Sequence, residues 1–303
     1  MTGGEWLRTL PGGKAISALG FGCSSLWAKP SFDARRASEI LDTLLAQGVN
    51  HFDTGPSYAA GEGERRLGRW LSGRPTGDLV ITTKVGTNLI DGRIVRGFTP
   101  EMMERTFLSS LERLKLERVD VLYLHGPSPA DLGEETWRFF ERLKARGLID
   151  LSGVNSFDNT VLERTVDTPA DVVMLQYNIG DSRNAPMIDK LRQAGKAVLS
   201  GTAMARAKFD MARFIPTNRE KLWYLLRMLR NEPGFLVSGW RLERRIKATG
   251  LPPHEAAIGF LVGDERITSS LFGTTSAAHA KANVAAGRKT MPQEVWTRLQ
   301  SCA

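Results

Sequence analysis

Four residues of this 303-residue chain have the types needed to move a proton onto an oxygen that is gaining negative charge: Asp53, Tyr58, Lys84 and His125. Asp53 stands near the end of "VNHFDT", and Tyr58 follows five residues later, after the turn Thr54-Gly55-Pro56. Lys84 lies near the end of "LVITTKV" and His125 at the end of "VDVLYLH". A tyrosine with an ordinary pKa of about 10 is a poor acid at neutral pH unless a nearby ammonium stabilises its phenolate. Lys84 can supply that ammonium, Asp53 can keep it charged and aimed, and His125 can hydrogen-bond an incoming oxygen or assist the transfer. Taken singly, each has a structural reading: a turn cap, a rim aromatic, a surface amine and a satisfied imidazole. Their joint placement at the ends of three successive strands favours chemistry.

The elements that must position them repeat along the chain. "ISALGFG", "VNHFDT", "LVITTKV", "VDVLYLH", "IDLSGVN", "VVMLQYN", "AVLSGTA" and "ITSSLFGT" read as strands, eight in all. Between them, Ala34 to Gln47, Pro100 to Lys115, Glu134 to Arg146 and Ala185 to Ala194 carry apolar residues at three and four residue spacing, as amphipathic helices do. Gly48, Gly147 and Gly195 stand where helix stops belong. Alternation of this kind implies parallel strands with right-handed crossovers, and eight repeats permit a closed (β/α)₈ TIM barrel; an open doubly wound sheet is the other arrangement. In the barrel, every strand's C-terminal end faces one mouth, which brings the four residues together. Residues 1–303 read as one such domain, with long loops at the mouth. "LRTLPGGKAISALGFG" reads as a hairpin turning at Pro11-Gly12-Gly13 and closing the barrel's bottom. The segment Ala205 to Leu251 is too long for one crossover and is expected to hold a loop with an extra helix or two.

Bulk composition narrows the setting. Hydrophobic content of 42% with 24% charged residues is ordinary for a globular chain. There is no secretory h-region or membrane-length apolar run, so the cytoplasm is expected and a membrane is not. The two cysteines, Cys23 and Cys302, build neither a disulfide framework nor a structural zinc site. Although the net charge is +8, basic residues are interleaved with acidic ones, as in "EMMERTFLSSLERLKLERVD", which argues against nucleic acid and for a small-molecule partner.

On these motifs the chain resembles the aldo-keto reductase superfamily. "FDTGPSY" with "GEGERRLGRWL", "ITTKVG" and "DVLYLHGP" are similar to the family's aspartate, lysine and histidine strands and its tyrosine loop, from about Ser17 to about Ala285. The resemblance implies the barrel fold and NAD(P)H-dependent reduction of an aldehyde or ketone. Its catalytic tetrad falls on Asp53, Tyr58, Lys84 and His125. No G-x-G-x-x-G follows the first strand, so a Rossmann-type site has no support.

The resemblance instead lays the cofactor across the mouth. It puts Cys23 near it, and Asn155, Ser156 and Gln176 on the nicotinamide carboxamide, the first two in swapped order within "SGVNSF". Gly201 falls where the family often has a stacking aromatic, Thr202 replaces a serine, and Ala203, Met204 and Arg206 follow the pyrophosphate loop without its proline. In "FGTTSAAHAKAN", Ser276 can cap a helix whose free N–H groups suit a phosphate. By resemblance Asn283 would face adenine, His279 would replace an arginine for the 2′-phosphate, and Gly273 would replace a lysine. Thr274, Thr275 and Lys281 lie nearby. The loss of both cations weakens the case for NADPH over NADH. Because the family mostly uses NADP(H) and these residues are nearby, the resemblance favours NADP(H), with NAD(H) as the alternative. Trp27 is the candidate substrate-pocket wall, and a monomer follows by resemblance.

Two other readings stand beside this one. His51 and Asp53 share a strand face and His125 could join them, as in a metal-dependent hydrolase barrel, but that reading leaves Tyr58 and Lys84 without roles. A barrel that binds the cofactor as a sensor or regulatory subunit, with little turnover, is the alternative from another class.

Overall fold

The apolar runs pair as parallel strands because each is too short and too β-branched for a helix, and the helix between each pair returns the chain to the same end. The computed structural model describes residues 5–204, 223, 226, 230 and 234–300. In chain order the strands are β1 (Leu7–Thr9), β2 (Ala15–Ser17), β3 (Leu19–Gly22), β4 (His51–Asp53), β5 (Val80–Val85), β6 (Thr87–Ile90), β7 (Arg93–Arg96), β8 (Val119–His125), β9 (Ile149–Asn155), β10 (Val172–Leu175), β11 (Ala197–Ser200) and β12 (Ser269–Phe272). Eight of these close into a barrel in the order β10-β11-β12-β3-β4-β5-β8-β9, so the doubly wound alternative falls away.

The barrel's lower interior is filled by Val80, Val121, Leu151, Val172 and Leu199, with Leu10 and Ile16 joining them from the β1–β2 hairpin. That hairpin turns through Gly12 and Gly13, both at positive φ, and closes the bottom as expected. What reads as one strand in "ISALGFG" is two: Ala18 separates the end of the hairpin from the start of the barrel, and the Ser17 hydroxyl donates to the Leu19 carbonyl at 2.6 Å.

Helices Ala34–Ala46, Pro100–Leu114, Glu134–Ala145 and Ala185–Gln193 stand within a residue of their expected ends. Asp33, Thr99 and Asp158 accept first-turn N–H groups at helix starts, satisfying donors that would otherwise lack partners. Of Ala205 to Leu251, the structure describes the helix Phe235–Lys247; most of the stretch before that helix lies outside the described residues. Among the described residues, no helix is long and apolar enough to cross a membrane.

One element has no counterpart in the expectations. Residues 86–98 form the β6–β7 hairpin, turning through Asp91 and Gly92, both at positive φ (47° and 74°), the geometry of a type I′ turn. The hairpin follows β5 directly and therefore sits at the mouth.

The helix Glu62–Leu71, which follows the Tyr58 loop, packs closely on the helix Pro100–Leu114 through Gly68. A Cβ at Gly68 would meet the Arg113 carbonyl oxygen and lie 2.7 Å from the Leu114 carbonyl carbon. Gly68→Ala should therefore destabilise by roughly 1–3 kcal/mol of overpacking, outweighing a helix-propensity gain of about 1 kcal/mol. Thermal melts should show a fall of a few degrees, whereas Gly77→Ala, with nothing within 4 Å of the new methyl, should melt like wild type.

Candidate active site

β4 ends at Asp53, and the Asp53 carbonyl accepts the Cys23 N–H at 2.7 Å while Thr54 N–H donates to the Thr82 carbonyl at 2.9 Å. These bonds fix the chain on both sides as it leaves the barrel. Asp53 and Lys84 both point inward and meet. The Lys84 ammonium donates to Asp53 Oδ1 at 2.7 Å, to Oδ2 at 2.6 Å and to the Thr54 carbonyl at 2.6 Å. The Thr82 hydroxyl adds a further bond to Asp53 Oδ1 at 2.7 Å. Lys84 is wholly buried and Asp53 nearly so.

Beyond Asp53 the chain passes Gly55, where a Cβ would make ordinary contact with Lys84 Cδ at 3.4 Å and Tyr58 Cε2 at 3.5 Å. The Tyr58 N–H closes the turn onto the Gly55 carbonyl at 3.1 Å. Ala59, Ala60 and Gly61 then follow in the left-handed region, with φ of 49°, 51° and 79°. Two alanines there are strained, and that reversal sets the tyrosine over the mouth before the helix Glu62–Leu71 begins. The Lys84 ammonium stands 4.9 Å from the Tyr58 ring centre, and the His125 ring meets Tyr58 edge-on with centres 5.9 Å apart. Asp53, Tyr58, Lys84 and His125 are thus brought together at one mouth.

Electrostatics follow from burial. Desolvation pushes the Tyr58 phenol above its ordinary value; Lys84 pulls it down, but not enough. This reverses the expectation that the ammonium would make the phenol unusually acidic at rest. Burial alone would lower Lys84, yet Asp53 and Tyr58 together raise it. His125 is held down to about 3 by burial, then by Lys84 and Arg96, so its ring is neutral at physiological pH. His51 lies deeper, its Nδ1 2.9 Å from the Ser269 hydroxyl, and burial with Lys84 lowers it likewise to about 3. Among the described residues no group of three or more His, Cys, Asp or Glu side chains is placed to hold a metal ion.

The next arc of the mouth carries the residues expected at a cofactor. Asn155 Nδ2 donates to the Met174 carbonyl at 3.4 Å, Gln176 Nε2 to Asp181 at 2.7 Å, and Ser156 Oγ accepts from the Asp158 N–H at 3.1 Å. Thr202 Oγ1 accepts from Asn178 at 3.0 Å, beside Ala203 and the half-buried Met204. Arg206 lies outside the described residues. At Gly201 a Cβ would touch Met174 Sδ at 3.4 Å and Phe157 Cζ at 3.5 Å, so among the described residues the aromatic beside that position is Phe157, itself 51% exposed. Past β12, Gly273 is exposed and Thr275 half-buried, and Ser276 caps the helix Ala277–Gly287 by accepting the His279 N–H at 3.4 Å. His279 is exposed and Asn283 is buried.

These residues fit a nicotinamide dinucleotide. The side-chain carbonyl oxygens of Asn155 and Gln176 accept no hydrogen bond from described residues, and the capped helix opens its first N–H groups toward the same rim, where a phosphate would be favoured.

One expectation needs correction. Trp27 does not wall a pocket: it is 2% exposed, its indole N–H donates to the Ala37 carbonyl at 3.2 Å, and its ring meets Phe21 edge-on in the core. Cys23 does lie at the mouth, its N–H bonded to the Asp53 carbonyl, but its thiol is wholly buried and burial, then Asp53, pushes it well above its ordinary value, so its main chain is what faces the site. Thr82, which the expectations passed over, was findable: it precedes Lys84 by two and so shares its strand face.

Comparison with known proteins shows the family and the fold. The model of the Aldo/keto reductase family matches residues 18–303. The oxidoreductase YqkF of Bacillus subtilis is 26% identical over 94% of this chain and 92% of its own. L-galactose dehydrogenase of Arabidopsis thaliana is 25% identical over 90% of this chain and 85% of its own. Among solved structures, an aldo-keto reductase from Bacillus halodurans in its holo form superposes with a TM-score of 0.80 at 25% identity, covering 97% of this chain and 95% of that one.

His51 gives the site a pH signature in stability. Its native value of about 3 lies below the unfolded value of about 6.5, so below pH 6.5 only the unfolded chain gains the proton. Stability from this group is complete above pH 6.5 and is lost as pH falls toward 3, by about 1.4 kcal/mol per unit. Urea denaturation from pH 7 to 4.5 should show a slope shallower by about that amount in His51→Gln than in wild type.

Proposed function

This chain belongs to the aldo/keto reductase family, and from that premise we propose that it is an NAD(P)H-dependent oxidoreductase that reduces an aldehyde or ketone to an alcohol, with Tyr58 as general acid. The observation that carries the reading is the Lys84 ammonium, spent on both oxygens of Asp53 and the Thr54 carbonyl, standing against the Tyr58 ring beside His125. When bound, the nicotinamide supplies the hydride to the carbonyl carbon. Asn155, Ser156 and Gln176 would hold its carboxamide, and Thr274, Thr275 and Ser276 at the head of the helix Ala277–Gly287 would take the adenosine phosphate. NADP(H) is the proposed cofactor, with NAD(H) as the alternative.

The chain's own residues do the rest. Tyr58 keeps its proton at neutral pH because burial raises its pKa, and it releases that proton when a carbonyl oxygen beside it becomes an alkoxide of higher pKa. The phenolate left behind faces the Lys84 ammonium, and Asp53 keeps that ammonium charged. Neutral His125 orients the oxygen by hydrogen bonding and adds no competing charge.

Tyr58→Phe should lower NADPH oxidation with an aromatic aldehyde by about 10²–10⁴-fold while NADPH binding, followed by fluorescence, is retained. Equal single-turnover rates in the two proteins would instead favour the cofactor-sensor alternative. With His125 near 3 and Tyr58 raised, the chemical step of reduction should be flat from pH 6 to 9, with no inflection near 6.5. A stopped-flow profile with an inflection at the ordinary histidine value would contradict this assignment.

A further inference from the structure

The β6–β7 hairpin places a cation at the mouth that the carbonyl chemistry above does not use. Thr87 and Arg96 are direct cross-strand partners and so lie on one face of the hairpin. Both reach the end of β8: the Thr87 hydroxyl donates to the His125 carbonyl at 3.0 Å, and the Arg96 guanidinium donates to the Gly126 carbonyl. The guanidinium also faces the Phe98 ring at 6.0 Å. It is thereby pinned one residue beyond His125, on the solvent side, and its charge is felt at the His125 ring. Arg96 is exposed, and among the described residues no carboxylate pairs with it, whereas Arg113 and Arg66, both largely buried, are paired with Glu64 and Glu62. The nearest catalytic carboxylate, Asp53, is already committed to Lys84. A neutral donor would latch the hairpin to Gly126 equally well; a guanidinium leaves further N–H groups and a full charge facing the mouth.

We propose that Arg96 is a specificity-determining residue, and that the carbonyl substrates this site prefers carry a carboxylate, which Arg96 takes as a charge-assisted pair. The inference rests on the carbonyl-reducing function proposed above. Arg96 acts on the substrate's distal group, and the proton still comes from Tyr58.

The test separates the two ideas. Binding of 3-carboxybenzyl alcohol and of benzyl alcohol is measured by calorimetry with NADP⁺ present, in wild type, Arg96→Gln and Arg96→Lys, and kcat/KM is measured for 3- and 4-carboxybenzaldehyde against benzaldehyde. Wild type should favour the carboxylate about five- to tenfold or more in both readouts. Arg96→Gln keeps a donor for Gly126 and should bring the ratio near one; Arg96→Lys should retain part of it. In wild type alone, raising NaCl from about 0.05 to 0.5 M should shrink the preference. Equal affinity for the two alcohols, or a preference that survives Arg96→Gln, overturns the inference even if benzaldehyde is reduced. Carboxylate binding through Arg96 without turnover of any aldehyde would keep the inference and remove the proposed function.

Discussion

The buried ion pair of Lys84 and Asp53 is the constraint on which the rest of the mouth depends. Two charges removed from water are costly, and they persist only where every donor and acceptor is met. Here all three ammonium protons have acceptors within 2.7 Å, and the carboxylate receives one further bond from Thr82. Loss of either partner would strand the other, at roughly 3–5 kcal/mol. That penalty is met in part by the Thr54 carbonyl, which turns inward to take the third ammonium proton. The ion pair itself is held by two barrel strands.

The barrel divides the labour along its axis. Below, hydrophobic side chains and the β1–β2 hairpin exclude water, which makes the interior a poor solvent for charge. Above, the strand ends carry Asp53, Lys84, His125 and Asn155, and the face below the first two is already polar, with His51 and Thr82 two residues earlier. The dry interior is what depresses both His51 and His125 to about 3. Stability at the bottom and reactivity at the top are consequences of one packing.

Much of this was legible because strands have a period of two and parallel barrels align their ends. Apolar runs closing on Asp53, Lys84 and His125 carried their own register, and helix ends such as Ala34 and Pro100 were marked by Asp33 and Thr99 caps. The β6–β7 hairpin was also written in the chain, as Asp91-Gly92 between "TNLI" and "RIVR", but the residues after Lys84 read first as one of the mouth's long loops. Trp27 was not legible: four residues of helix, Ser25–Ala28, have no periodicity to say which way an indole turns. The direction of the Tyr58 shift was equally hidden, since it is a contest between an ammonium that sequence can suggest and a burial that only the fold determines.

In the proposed reaction, that contest bears on how the proton would move. A phenol acidified at rest would lose its proton to water near neutrality and have none to give. Tyr58 is raised instead, so the donor is intact when substrate arrives. Transfer then requires the acceptor to become the stronger base, and a carbonyl oxygen does so only as it turns into an alkoxide. Lys84 contributes most at that moment, because the phenolate forms where desolvation has left it little other stabilisation and an ammonium already stands 4.9 Å from the ring. A lysine neutralised by burial could not do this, and Asp53 is what prevents it. In that proposed step the aspartate's part is electrostatic and indirect, exerted through the ammonium that its two oxygens hold.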